Sequence, residues 1–174
     1  MNPSNFTYLE NEYPILYNLG KAAEFNLHTD PTTCMFKLRQ LGEKITELVF
    51  EEHYLEFPYE NTFHTRLKTL YYEKIIPERV NDLFHTLKNK GNKAVHDAEG
   101  TLNDAKMLLF ATFKITKWFY QAYSNENKDI SELKFHEVEF VDANQALSQL
   151  ESDYKLLEEK FKALLAEREI KEQA

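Results

Sequence analysis

The chain has 174 residues, a formal net charge of −8, 43% hydrophobic and 14% aromatic residues, and only 4 Gly and 5 Pro. This is enough for one domain with its own core plus an appendage, and the composition is that of a packed protein rather than a disordered one. The single cysteine, Cys34, excludes an internal disulfide and a cysteine-based zinc site.

No apolar run approaches the roughly 18 residues of a membrane span, and Met1 to Tyr8 has neither a basic n-region nor an apolar h-region. A soluble, cytoplasmic protein with no membrane partner is expected. Apolar spacing is helical throughout, without a convincing period-two run, so the expected fold is all-α.

A first helix is expected from about Glu10 to Asn26, after an extended start in which Phe6 and Leu9 pack down. Asp30-Pro31 reads as a helix start, with Asp30 as cap and Pro31 in the first turn, where its missing donor costs nothing. Met35, Leu38, Leu41, Ile45, Leu48 and Val49 give that second helix one buried face. Phe63 to Tyr72 is a third.

Pro77 opens a fourth through Val80, Leu83, Phe84 and Leu87, and Gly91 is expected to end it in a left-handed conformation. After a turn at 97–100, Leu102 to Tyr123 is apolar on nearly every side, which predicts a central helix. A polar break at Ser124 to Asp129 suggests a bundle domain over 1–124, a linker over 125–142 and a separate helix over 143–174.

In that last helix Ala143, Leu147, Leu150, Tyr154, Leu157, Phe161 and Leu164 alternate spacings of four and three, a heptad seam that requires a partner helix. The partner is the same chain, a second copy or a following domain. A homodimer through Leu147, Leu150, Tyr154, Leu157, Phe161 and Leu164 is one outcome.

Several chemistries lack their motifs. There is no phosphate-binding Gly-x-x-x-x-Gly-Lys loop, no Gly-x-Gly-x-x-Gly run and no Gly-x-Ser-x-Gly elbow. His136-Glu137 lacks the second histidine of a zinc-protease helix, so no metal is expected. Glu51/Glu52 and Glu158/Glu159 read as solvated surface, and His28, His53 and His64 as ordinary histidines.

The segment from His85 to His96 stands apart. It carries three lysines and two histidines without a carboxylate in an acidic chain. With the helix stopping at Gly91, Lys88, Lys90, Asn92, Lys93 and His96 can converge on a phosphate or carboxylate, and an imidazole there can act as general acid or base. Equally, Asn92 and His96 can satisfy backbone groups at a tight turn.

Asn5-Phe6 with Leu9, Ala22-Ala23-Glu24, Asp30-Pro31, Lys37 to Glu43, Leu83 to Leu87, Gly91 to His96 and Lys117 to Tyr120 together resemble the N-terminal region of the restriction (R) subunit of type I restriction-modification enzymes, over about residues 3–123. The same unit resembles the HEPN superfamily, all-α domains found in RNases, toxins and defence systems.

The resemblance implies an accessory or docking domain, with the C-terminal helix leading toward a nuclease domain. In the parent subunit ATP and Mg serve DNA translocation and cleavage of unmethylated foreign DNA. Its partners are the other domains of the R subunit, the methylation and specificity subunits, and DNA, here through Lys88, Lys90 and Lys93. This chain itself is expected to have no cofactor and no catalytic residue.

The alternatives are a HEPN-type ribonuclease acting across a dimer and a stand-alone dimeric interaction module. Active HEPN ribonucleases place an arginine a few residues before a histidine. Asn89, Lys90 and Gly91 occupy those positions before His96, and lysine lacks the planar two-pronged grip on phosphate. Arg79 and His85 have the separation, but Val80 follows the arginine. The ribonuclease reading therefore falls on His96 with Asn92, or on Arg79 with His85.

Overall fold

The computed structural model describes residues 3–97, 100–126, 128–140 and 142–173, and among them every regular element is a helix. The chain divides into two compact units, 1–138 and 139–174. In the first, a 3-10 turn at Thr7–Leu9 precedes α1 (Pro14–Asn26), α2 (Pro31–Glu52), α3 (Phe63–Tyr72), α4 (Glu78–Asp97) and α5 (Leu102–Tyr123). The second holds α6 (Ala143–Gln173).

Local chemistry sets the helix starts. Asp30 accepts a hydrogen bond from the Thr33 N–H at 3.0 Å with Pro31 following, as expected. Thr62 and Thr65 form a reciprocal capping box on α3, and Thr101 caps α5 through the Asp104 N–H at 3.1 Å. The first helix begins at Pro14 rather than near Glu10 because proline suits the first helical position. Phe6 and Leu9 pack down in the chain before it and are fully buried.

The stop signals differ from expectation. Gly91 does not end α4; the helix runs on to Asp97, and no glycine has positive φ. A β-carbon at Gly91 would lie 3.0 to 3.3 Å from the Arg39 side chain, so glycine here serves the close approach of α2 to α4. The left-handed stops fall on Tyr54 (φ 52) and Lys74 (φ 57). After α2 the Leu55 N–H reaches back to the Phe50 carbonyl, and after α3 the Ile75 N–H reaches the Leu70 carbonyl, each at 3.0 Å. Both are Schellman closures.

Lys74→Gly removes the β-carbon penalty of that conformation and is expected to stabilise the protein by about 0.5–1 kcal/mol. Thermal unfolding would report it as a rise of a few degrees. An unchanged or lower midpoint would count against the stop.

The expectation of α5 as the central helix needs correction. α2 packs against α1, α3, α4 and α5, whereas α5 packs against α2 and α4. The N-terminal 3-10 turn and the extended segment after α5 also cover α5. The Tyr8 ring stands edge-on to Phe113 and Tyr120, with its hydroxyl 2.6 Å from Thr116 Oγ1. Phe135 packs on Phe110 and Phe113.

Residues 130–138, placed in a linker by composition, thus lie on the first unit. Ile130 is buried, and Lys117 Nζ donates to the Ser131 and Leu133 carbonyls at 2.6 and 2.9 Å. Asn5 clamps the backbone of His136 with two bonds, accepting from its N–H at 2.7 Å and donating to its carbonyl at 2.9 Å. The Val138 carbonyl lies 2.6 Å from His28 Nε2. The expected turn at 97–100 includes residues 98 and 99, outside the described residues.

In α6 the seam residues Leu147, Leu150, Tyr154, Leu157, Phe161 and Leu164 are each more than half exposed, and Leu156 and Leu165 are exposed beside them.

Candidate functional site

α4 buries Val80, Phe84, Leu87 and Ala94 against the core, and Asn81 with them, which leaves its other polar residues up to His96 partly or fully exposed. An uninterrupted helix at about 100° per residue sorts the expected anion site onto two sides. Lys88, Asn92 and His96, at successive spacings of four, share one; Lys90 lies about 160° away from Lys88 and Asn92, and Lys93 falls between, about 60° from both His96 and Lys90. Convergence on one spot required the break at Gly91 that the structure does not have.

Lys90 is committed elsewhere. Its ammonium lies 2.5 Å from Asp104 Oδ1, while Thr101 Oγ1 donates to Asp104 Oδ2 at 2.9 Å. The Lys90 hydrogen bond, then Thr101, hold the Asp104 carboxyl below its usual range, and the Lys93 charge adds to the effect. This cluster ties α4 to the start of α5.

Lys88 belongs to a different group. Its Nζ lies 3.1 Å from Nδ1 of His64 in the first turn of α3. One turn earlier on α4, His85 is half-buried. Burial lowers its pKa below the ordinary 6.5, the Lys88 and His64 charges add to the shift, and Asp82 opposes it. His85 is therefore favoured in its neutral form. Its contribution to stability is greatest above pH 6.5 and declines as pH falls from there through the lowered value.

His64, His85 and Lys88 thus form a compact nitrogen cluster on α3 and α4, with half-buried Asn92 one turn beyond Lys88 and exposed His96 one turn further. An approaching anion relieves the mutual repulsion of such a cluster by favouring its charged forms. Lys88 was among the residues expected at an anion site, and His85 was expected only beside Arg79. His64 was not expected there, because only the packing of α3 on α4 brings it to the cluster.

The other candidates separate. Arg79 is exposed in the first turn of α4, and a spacing of six turns it about 120° away from His85. Cys34 is buried, and burial, with Glu24 and Asp30 adding, pushes its thiol up to about 12; it is a packing residue, not a nucleophile. His136 sits in the extended segment held by Asn5, not on a helix. Among the described residues no three His, Cys, Asp or Glu side chains gather to hold a metal, and no helix is long and apolar enough to cross a membrane.

An apolar groove of about 370 Å³ lies elsewhere on this unit, lined by Leu27, Met107, Phe110, Phe135 and Val138 with the charged Lys106 and Glu137.

Residues 21–136, from within α1 through the segment docked on α5, match the family model described as a domain of unknown function, DUF4145. The chain belongs to the DUF4145 family. This DUF4145 protein is similar to the type I restriction enzyme EcoKI endonuclease subunit of Escherichia coli (strain K12), with 32% identity over 126 residues. The match takes in 72% of this chain and 11% of that subunit, so the chain spans a small fraction of its relative's length. No solved structure matches it. The family match ends before α6, near the boundary between the two units.

Proposed function

We propose that this DUF4145 protein is an accessory domain related to the R subunit of type I restriction endonucleases, acting in the cytoplasm beside the parts that translocate and cut DNA. The observation that carries the reading is its 32% identity to one short stretch of a much larger restriction endonuclease subunit. ATP and Mg belong to the motor and nuclease parts of such a subunit, and the methylation and specificity subunits are its partners. The bundle itself is read as HEPN-like.

Within that setting the domain docks on neighbouring parts of the enzyme and meets the DNA backbone through α4. The His64, His85 and Lys88 cluster supports the backbone contact: it is a local concentration of cationic and imidazole groups on a molecule of net charge −8. Phosphate recognition of this kind positions a protein on a duplex without reading its sequence. It suits an enzyme family in which another subunit reads the target.

The test is a histidine NMR titration with and without duplex DNA at low salt. In the free protein His85 is expected to titrate below 6.5. Bound phosphates should raise that value, and proton uptake should make binding tighter as pH falls. Lys88→Glu should abolish the rise, and the affinity should drop as salt increases. Histidine signals indifferent to DNA would remove the backbone contact.

A further inference from the structure

The exposed seam of α6 meets the requirement for a partner helix, and its composition also constrains the direction of that partner. Numbering the heptad from the seam puts Leu147, Tyr154 and Phe161 at a, and Leu150, Leu157 and Leu164 at d. The flanking e positions are Glu151, Glu158 and Leu165, and two of the g positions are Asp153 and Lys160.

We infer that α6 pairs with α6 of a second copy of this chain, and that the two run antiparallel. In the antiparallel arrangement a residues face d residues, and the six seam positions close into complementary layers: Leu147 against the partner's Leu164, Leu150 against the partner's Phe161, and Tyr154 against the partner's Leu157. Each aromatic ring then meets a leucine. In a parallel pair Tyr154 would face Tyr154 and Phe161 would face Phe161, crowding two ring pairs into one narrow seam.

The flanking charges agree. Parallel pairing sets Asp153 beside the partner's Glu158, twice, with no compensating attraction at the e and g positions named above. Antiparallel pairing sets Asp153 beside the partner's Lys160, twice. Its cost is Glu151 facing the partner's Glu158, also twice, and Glu158 already holds an ion pair at 2.9 Å with Lys162 of its own helix. Opposed helix dipoles favour the same direction.

The test uses the full chain. Sedimentation over a wide concentration range should show a monomer–dimer equilibrium. Leu150→Glu with Leu157→Glu should weaken it at least about a hundredfold, the cost of two desolvated charges at the seam, while circular dichroism shows the bundle still folded. Direction is read by disulfide exchange in a glutathione buffer. Tyr154→Cys mixed with Leu157→Cys should give the mixed disulfide in preference to either symmetric one, because only facing positions come within bonding reach. A protein that stays monomeric at every concentration overturns the inference, and so does a predominant Leu157→Cys symmetric disulfide, which reports parallel helices.

Discussion

Phe6→Ala is expected to cost about 3–5 kcal/mol, the range for emptying a buried aromatic site. Phe6 is fully buried, and its ring lies against α1 where a β-carbon at Gly20 would overlap it. The neighbouring Asn5 joins Glu24 of α1, through its N–H at 2.9 Å, to the backbone of His136. Losing the ring therefore loosens three pieces of chain at once: the N-terminal segment, α1 and the docked stretch 130–138. A loss of this size is a large part of the total stability of a typical domain, and urea unfolding measures it directly. Hydrogen exchange should show the His136 amide losing protection in the same variant. A loss below about 1 kcal/mol, the scale of an ordinary surface change, would mean that the N-terminal segment is peripheral to the fold.

Arg66→Ala is expected to cost about 2–4 kcal/mol, combining lost packing with lost charged hydrogen bonds. Arg66 is only 4% exposed. Its Nε donates to Thr46 Oγ1 at 2.9 Å and its Nη1 to Asn61 Oδ1 at 2.6 Å, while Nη2 lies 3.7 Å from Glu47. Burial lowers its pKa, and Glu47 and Glu43 oppose the shift. One guanidinium thus fastens α3 to the middle of α2 and holds the loop before α3. Arg66→Lys keeps the charge but not the planar fork, so it should recover little of the loss. Denaturant midpoints of both variants at low and high salt separate the contributions. A loss that disappears at high salt would reduce Arg66 to its ion pair with Glu47.

Several elements were legible because their signals are local. Phe63 to Tyr72 and Leu102 to Tyr123 lie where apolar patterning placed them, their starts fixed by the Thr62 and Thr101 caps that the structure adds, and Asp30-Pro31 opens α2 as read. Gly91 misled because glycine near the end of an apolar pattern normally marks a stop, whereas its role here depends on Arg39 of another helix. The stops at Tyr54 and Lys74 carry no glycine to announce them.

Residues 130–138 looked like linker because their composition is polar. Leu133 and Phe135 do stand two apart, as in a chain with one buried face, but two positions are too few to outweigh the polar residues around them. The candidate site divides along the same line. Lys88 was read as a site residue from the basic stretch of one helix, His85 only as a partner of Arg79, whereas His64 comes from α3, and Lys90 was lost to the site through Asp104, fourteen residues along the chain.

Contact with the DNA backbone is tested by incubating the purified chain with labelled duplex DNA and with structured RNA, with and without magnesium, scoring retention and cleavage for the wild type and His96→Ala. A backbone-contacting accessory domain should retain duplex DNA in a salt-sensitive manner and cleave neither substrate, with His96→Ala indistinguishable in cleavage. Magnesium-independent RNA cleavage that disappears in His96→Ala would contradict it and make this protein a ribonuclease.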